Sequence, residues 1–170
     1  MIGAVAGKER EMPTFSRTTD VDRPIAEVWD VWSDVGILPQ LSSSTTEILD
    51  APDRLTEVGQ TFRQIVRTVG RCFESTWTVV SVADQDHLTI EGSLGTGMGA
   101  RHRITELVTE LEPGRTRLTL TVDYKLPFGP FGRLASKLGI EKLAQRESGE
   151  VLAKLKALLE EQPASTASGA

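Results

Sequence analysis

The sequence has few of the residues that perform covalent or metal chemistry. It contains one cysteine, Cys72, and two histidines, His87 and His102, among 170 residues. A single cysteine excludes an internal disulfide and suits a reducing cytoplasm. Cys72 lies on a predicted strand, where we expect an inert, partly buried thiol. The histidines lack the H-x-H, H-x-x-x-H or Cys/His spacing of metal ligands, so we expect neither a metal nor another cofactor.

Long apolar runs and basic runs are also missing. No stretch approaches the roughly 20 apolar residues of a membrane span, and no export signal develops at the start, so we expect no stable membrane insertion. The net charge is −5, from 19 basic and 24 acidic residues. Nucleic-acid binding is disfavoured because it needs a clustered cationic face. These features predict a cytoplasmic globular protein and leave a homodimer open.

The chain is long enough for one domain with a sizeable core. We expect this domain to cover residues 13–161, after a flexible N-terminal segment of residues 1–12. Residues 162–170 are small and polar and predict a disordered tail.

Periodicity divides the domain into three parts. Residues 14–22 predict an opening strand near a sheet edge, followed by an amphipathic helix in "RPIAEVWDVWSD" and a second short helical turn in "VGILPQLSS". From residue 44 to 126 the pattern changes to period two, with a tight hairpin at Gly70-Arg71. Residues 131–161 then predict one helix of about 30 residues. Its middle carries small and polar residues, which indicates either that the helix spans an unfilled space or that residues 141–150 are solvated.

Residues 92–111, "GSLGTGMGARHRITELVTEL", contain the G-x-G-x-x-A pattern of a dinucleotide-binding turn. That turn requires a parallel sheet and a helix after the glycines. Here the upstream strands are joined by short turns, which only antiparallel pairing permits, and one helix without a further strand follows Asp123. We therefore predict a hairpin between two strands.

The order of these elements resembles the START-like (SRPBCC) superfamily, the polyketide cyclase/dehydrase and lipid-transport family. The residues that carry the resemblance are "DRPIAEVWDVWSDVGILPQLSSSTTEI", "VGQTFR" and "EPGRTRLTLTVDYKLPFGPFGRL". One departure is Leu41, where many relatives carry an aromatic residue. The resemblance implies an α+β helix-grip fold. In this fold a curved antiparallel sheet of six to seven strands wraps around a long C-terminal helix, with two short helices after the first strand.

The resemblance also implies a cavity between the sheet and the long helix. We expect side chains of the sheet and of the long helix to line it. These are Phe62, Val66, Trp77, Ile90, Leu120, Tyr124, Leu134 and Leu138. Trp77 is the strongest candidate for a pocket wall, and the Tyr124 hydroxyl requires a polar partner inside the protein or on a ligand.

The orientation of strand 100–111 decides whether His102 joins this set. We favour the arrangement in which Leu107 and Leu111 face inward and His102 is exposed. The alternative arrangement turns His102, Ile104, Glu106 and Val108 inward, and it would bring an imidazole and a carboxyl into an apolar cavity suited to acid–base chemistry.

Two function classes follow from the resemblance. The first is binding or transport of a hydrophobic small molecule, such as a lipid, a polyketide or an isoprenoid-like compound. The second is a cyclase, aromatase or dehydrase that uses His102, Tyr124, Glu106 and Arg63 in the same cavity. The scarcity of polar groups favours binding, and fold alone does not choose between them. A weaker third class is an interaction module that acts on a partner protein.

Overall fold

Seven strands form one antiparallel sheet that is completed by a long C-terminal helix. The computed structural model describes residues 14–68, 70–94, 101–125 and 130–161, and the side chains of residues 68, 94, 125 and 130–141 lie outside this description. The elements in chain order are β1 (Thr14–Val21), α1 (Ile25–Trp32), a 3-10 turn (Val35–Ile37), α2 (Leu38–Leu41), β2 (Thr45–Asp50), β3 (Thr61–Thr68), β4 (Arg71–Ala83), β5 (His87–Leu94), β6 (Arg101–Glu112), β7 (Arg115–Lys125) and α3 (Pro130–Glu161).

The strand order is β1-β7-β6-β5-β4-β3-β2, and all neighbours are antiparallel. This confirms the predicted helix-grip fold, including the edge position of β1 and the two short helices after it. The prediction that residues 95–100 make a hairpin turn falls outside the described residues. The strands on either side, β5 and β6, are antiparallel partners, and this excludes the parallel arrangement that a dinucleotide site needs.

A cluster of buried apolar side chains lies where the C-terminal half of α3 and helix α1 meet the sheet. Leu155 and Leu159 of α3 are almost fully buried, as are Val28 of α1 and Val21 and Leu118 of the sheet. Burial of such side chains contributes about 1.5–3 kcal/mol each relative to exposure. This cluster fixes the helix against the sheet at its C-terminal end.

Polar contacts hold the middle of α3. Ser42, after α2, donates a hydrogen bond of 2.6 Å to the Glu147 carboxylate, and Ser44 donates to the same oxygen. On the other side, Arg17 of β1 donates to the Gln145 amide oxygen at 3.1 Å. Ser148 is buried. The polar residues in the middle of the helix therefore attach it to both neighbours, an arrangement that neither of the two sequence-based interpretations included.

Two smaller expectations concern the surface. Cys72 is exposed on β4, so the prediction of a partly buried thiol is wrong. It faces away from the core because β4 directs Ser75, Trp77 and Val79 inward, and the residues between them outward. None of the helices in the described parts of the chain is long and apolar enough to cross a membrane.

Candidate functional site

A row of five residues, one on each of five neighbouring strands, crosses the inner face of the sheet. Its members are direct cross-strand partners, Phe62 with Trp77, Trp77 with Gly92, Gly92 with His102, and His102 with Tyr124. Strand alternation directs all of them to the same side of the sheet. We call this set the aromatic row. It brings three residues of the predicted cavity wall together with the histidine of β6.

Gly92 determines the position of the Trp77 indole. A Cβ atom at residue 92 would lie 2.5 Å from Trp77 Cδ2 and 2.8 Å from the Thr76 carbonyl oxygen, closer than real contacts allow. The indole therefore occupies the space that any side chain at residue 92 would fill. Its Nε1 donates a hydrogen bond of 3.1 Å to the buried Ser75 hydroxyl, which fixes the ring orientation.

The Trp77 indole contacts a ring on each side. It stacks on Phe62 with 6.3 Å between ring centroids and an interplanar angle of 10°. It meets the His102 imidazole edge-on, with centroids 6.3 Å apart at 61°. Stacked and edge-to-face pairs at this separation are favourable arrangements for aromatic rings. Three rings of the row, those of Phe62, Trp77 and His102, are therefore in contact, and the row continues across β6 and β7 to the Tyr124 phenol.

The inner face of β6 is the one that carries His102, Glu106 and Val108, and the favoured interpretation had placed this face outside. Val108 is buried, and the Nε2 atom of His102 and the Oε2 atom of Glu106 are both inaccessible to solvent. Leu107 and Leu111 are 39% and 40% exposed. The expectation that the two leucines face inward is therefore wrong. Apolar residues alternate with polar ones on both faces of this strand, so the pattern alone did not identify the inner face.

Burial favours the neutral forms of the two ionisable side chains that β6 directs inward, His102 and Glu106. It lowers the pKa of the His102 imidazole below its ordinary value of 6.5. It raises the pKa of the Glu106 carboxyl from 4.5 to about 8. Within the described part of the chain, neither His102 Nε2 nor Glu106 Oε2 has a hydrogen-bond partner. Buried polar atoms are normally bonded, so both atoms are candidates for contact with a ligand.

The remaining predicted wall residues are also on the inner face wherever their side chains are described. Val66, Ile90 and Leu120 are buried on β3, β5 and β7. Leu134 and Leu138 lie outside the described side chains, so the cavity itself stays a prediction. Arg63 lies on the outer face of β3, where it pairs with Glu74 at 3.0 Å. Arg63 therefore does not share the inner face with the aromatic row.

A separate groove lies between β1 and the C-terminal half of α3. Its volume is about 360 Å³, and it is lined by Arg17, Leu152, Lys156 and their neighbours. Lys156 forms an ion pair with Glu160 at 3.1 Å, and Arg17 bonds to Gln145. The groove does not reach the aromatic row, and its cations are engaged within the protein. No group of residues that could hold a metal ion occurs among those described.

The sequence of the domain matches one family model over almost its whole length. The family described as polyketide cyclase/dehydrase and lipid transport matches residues 12–160. The chain belongs to this family. The match confirms the resemblance recognised in the sequence. Among curated proteins, no sequence matches this chain.

Several solved structures share the fold of this chain. The Zhui aromatase/cyclase from Streptomyces sp. R1128 is 18% identical with a TM-score of 0.74, over 92% of this chain and 99% of that one. A START superfamily protein from Mycobacterium smegmatis is 20% identical with a TM-score of 0.63, over 87% and 97%. The di-domain ARO/CYC StfQ of the steffimycin biosynthetic pathway is 14% identical with a TM-score of 0.67, over 87% of this chain and 50% of that one. At these identities the likeness shows the shared fold.

Proposed function

We propose that this family member binds a hydrophobic small molecule, such as a lipid, a polyketide or an isoprenoid-like compound, between the sheet and α3. The observation that carries the proposal is the aromatic row, where Phe62 and Trp77 stack and Trp77 meets the His102 imidazole, whose Nε2 atom is inaccessible to solvent. Ligand sites are mostly apolar walls with a few polar groups that fix orientation. Withdrawal of apolar ligand surface from water contributes about 25 cal/mol per Å², so partial burial gives useful affinity.

Native mass spectrometry of the purified protein tests this proposal. We expect a bound compound that solvent extraction releases and that is identified as apolar. Trp77→Ala removes the central ring of the row and should abolish retention, while Tyr124→Phe keeps the ring and should preserve it. Val80→Ala serves as the matched control, because Val80 is an exposed residue of the same strand. The proposal is wrong if no apolar compound is retained and an uncharged fluorescent probe is not taken up.

The second candidate is a cyclase, aromatase or dehydrase activity. It is favoured by one observation, the direct pairing of His102 with Tyr124 across β6 and β7, both on the inner face. A neutral imidazole can take a proton from a carbon that lies between two carbonyl groups, and a phenol can donate a hydrogen bond to a carbonyl oxygen. If the protein is a catalyst of this type, the Tyr124→Phe variant should still bind its substrate but lose turnover. If it is a carrier, the variant should bind its ligand as the unchanged protein does.

We also keep the proposals on location and assembly that the sequence suggested. A cytoplasmic location agrees with a single cysteine that has no partner for an internal disulfide. A homodimer and the exclusion of nucleic acid stay predictions, as do the flexible segment of residues 1–12 and the disordered tail of residues 162–170. Size-exclusion chromatography with light scattering would measure the oligomeric state directly.

A further inference from the structure

We propose that Glu106 makes the proposed ligand site between the sheet and α3 selective for uncharged ligands. Its carboxyl group donates a hydrogen bond to an acceptor such as a ketone, ester or ether oxygen, and the site rejects ligands that carry a carboxylate. The inference rests on the proposed function, since it requires that a small molecule occupies the interior. It concerns a group that lies outside the aromatic row.

The position of Glu106 places its carboxyl in apolar surroundings. Its cross-strand partners are Leu88 on β5 and Leu120 on β7, both buried on the same inner face. Ile104 lies on the same face of β6, between Glu106 and His102 of the aromatic row. His102 and Glu106 are four residues apart on one strand, which corresponds to about 13 Å. A ligand of moderate length can therefore contact both groups.

The protonation state of Glu106 determines what it recognises. Because burial raises the pKa of this carboxyl to about 8, the group is an acid with one O–H donor at neutral pH. Its Oε2 atom has no hydrogen-bond partner within the described residues. A ligand acceptor at this position would satisfy the donor without burying a charge, which makes neutral oxygen functions the best match.

Among the residues whose side chains are described, a ligand carboxylate has no comparable partner on this face. His102 is neutral near pH 7, because burial lowers the pKa of its imidazole. Arg17 is the cross-strand partner of Leu120, two strands from Glu106, and its guanidinium is bonded to Gln145 of α3. An anion beside Glu106 would therefore lose its hydration without gaining a positive partner, which is strongly unfavourable in an apolar interior.

Competition binding with three ligands of equal ring structure tests the inference. The ligands are 2-ethylnaphthalene without an acceptor, 2-acetylnaphthalene with a ketone, and 2-naphthoate with a carboxylate. Each is added at pH 7 as a competitor to the protein loaded with the uncharged probe N-phenyl-1-naphthylamine. We expect the ketone to bind about five-fold more tightly than the ethyl compound, the gain of one typical hydrogen bond. We expect naphthoate to bind at least about ten-fold more weakly than the ketone.

Variants at residue 106 assign these preferences to the carboxyl. Glu106→Leu should remove the preference for the ketone over the ethyl compound, while Glu106→Gln retains a donor and should keep it. Glu110→Gln changes an exposed residue of the same strand and should have no effect. The inference fails if the probe binds but naphthoate competes as well as the ketone, or if Glu106→Leu keeps the ketone preference. Absence of probe binding by the unchanged protein would instead overturn the proposed function.

Discussion

Replacing Glu106 with glutamine should remove a pH-dependent loss of stability from the folded protein. The folded state holds the carboxyl proton up to a pKa of about 8, whereas the exposed group releases it near 4.5. Between these two values the folded chain binds more protons than the unfolded chain. The free energy of unfolding therefore falls as the pH rises through this range. The contribution of the protonated acid is fully present below pH 4.5 and is lost above pH 8.

The size of the effect follows from the distance between the two pKa values. Each pH unit between them costs about 1.4 kcal/mol, so the loss accumulates to about 4 kcal/mol at pH 8. Burial is the cause of the raised pKa, and the neighbours Leu88 and Leu120 provide no charge that would offset it. Glutamine has nearly the shape of the neutral acid and does not ionise, so the stability of Glu106→Gln should lack this dependence on pH.

Urea unfolding at pH 5, 6, 7 and 8 measures the effect on ligand-free protein. We expect the difference in unfolding free energy between Glu106→Gln and the unchanged protein to grow by about 3 kcal/mol from pH 5 to pH 8. His102 acts in the opposite sense, since its lowered pKa gives a contribution that is present above pH 6.5 and lost as the pH falls. Both proteins contain His102, so its contribution cancels in the difference between their unfolding free energies. A difference that stays constant with pH would refute the reasoning, and Glu110→Gln, at an exposed residue of the same strand, serves as the control.

Three further predictions follow from single side chains. Gly92→Ala should displace the Trp77 indole, lower stability by about 1–3 kcal/mol and change the tryptophan fluorescence; an unchanged emission spectrum would contradict the described contact. Leu155→Ala should cost about 2–5 kcal/mol in urea unfolding, because Leu155 is fully buried, and a loss under 1 kcal/mol would contradict its place in the core. Cys72 should react with a thiol reagent such as DTNB in the folded protein as fast as in urea, and protection in the folded state would contradict its exposure.

The sequence predicted the fold well because its signals are local. Strand β7 alternates Leu118, Leu120, Val122 and Tyr124 without interruption, and this single pattern determined which of its faces is buried. Period-two patterns and short turns also distinguished antiparallel strands from a nucleotide-binding unit. The resemblance to a known family then supplied the position of the long helix.

The site could be predicted only in part, because it depends on cross-strand register. Trp77 and Tyr124 were identified from their own strands, but β6 carries leucine on one face and histidine, isoleucine, glutamate and valine on the other. Its orientation follows from pairing with β5 and β7, which the local pattern does not encode. Glu147 was missed for a similar reason, since its partners Ser42 and Ser44 are about 100 residues away in the chain.

The contact between Trp77 and Gly92 has a consequence for how this interior can change. The indole lies where any side chain at residue 92 would be, so the two positions share one volume. A larger residue at 92 becomes acceptable only when residue 77 is made smaller, and their effects on stability are therefore non-additive. A smaller residue 77 would relieve the contact of a residue-92 Cβ atom with the indole but not its 2.8 Å contact with the Thr76 carbonyl oxygen. A paired substitution would therefore also require a shift of the β4 backbone, and it would remove the indole that stacks on Phe62 and meets His102.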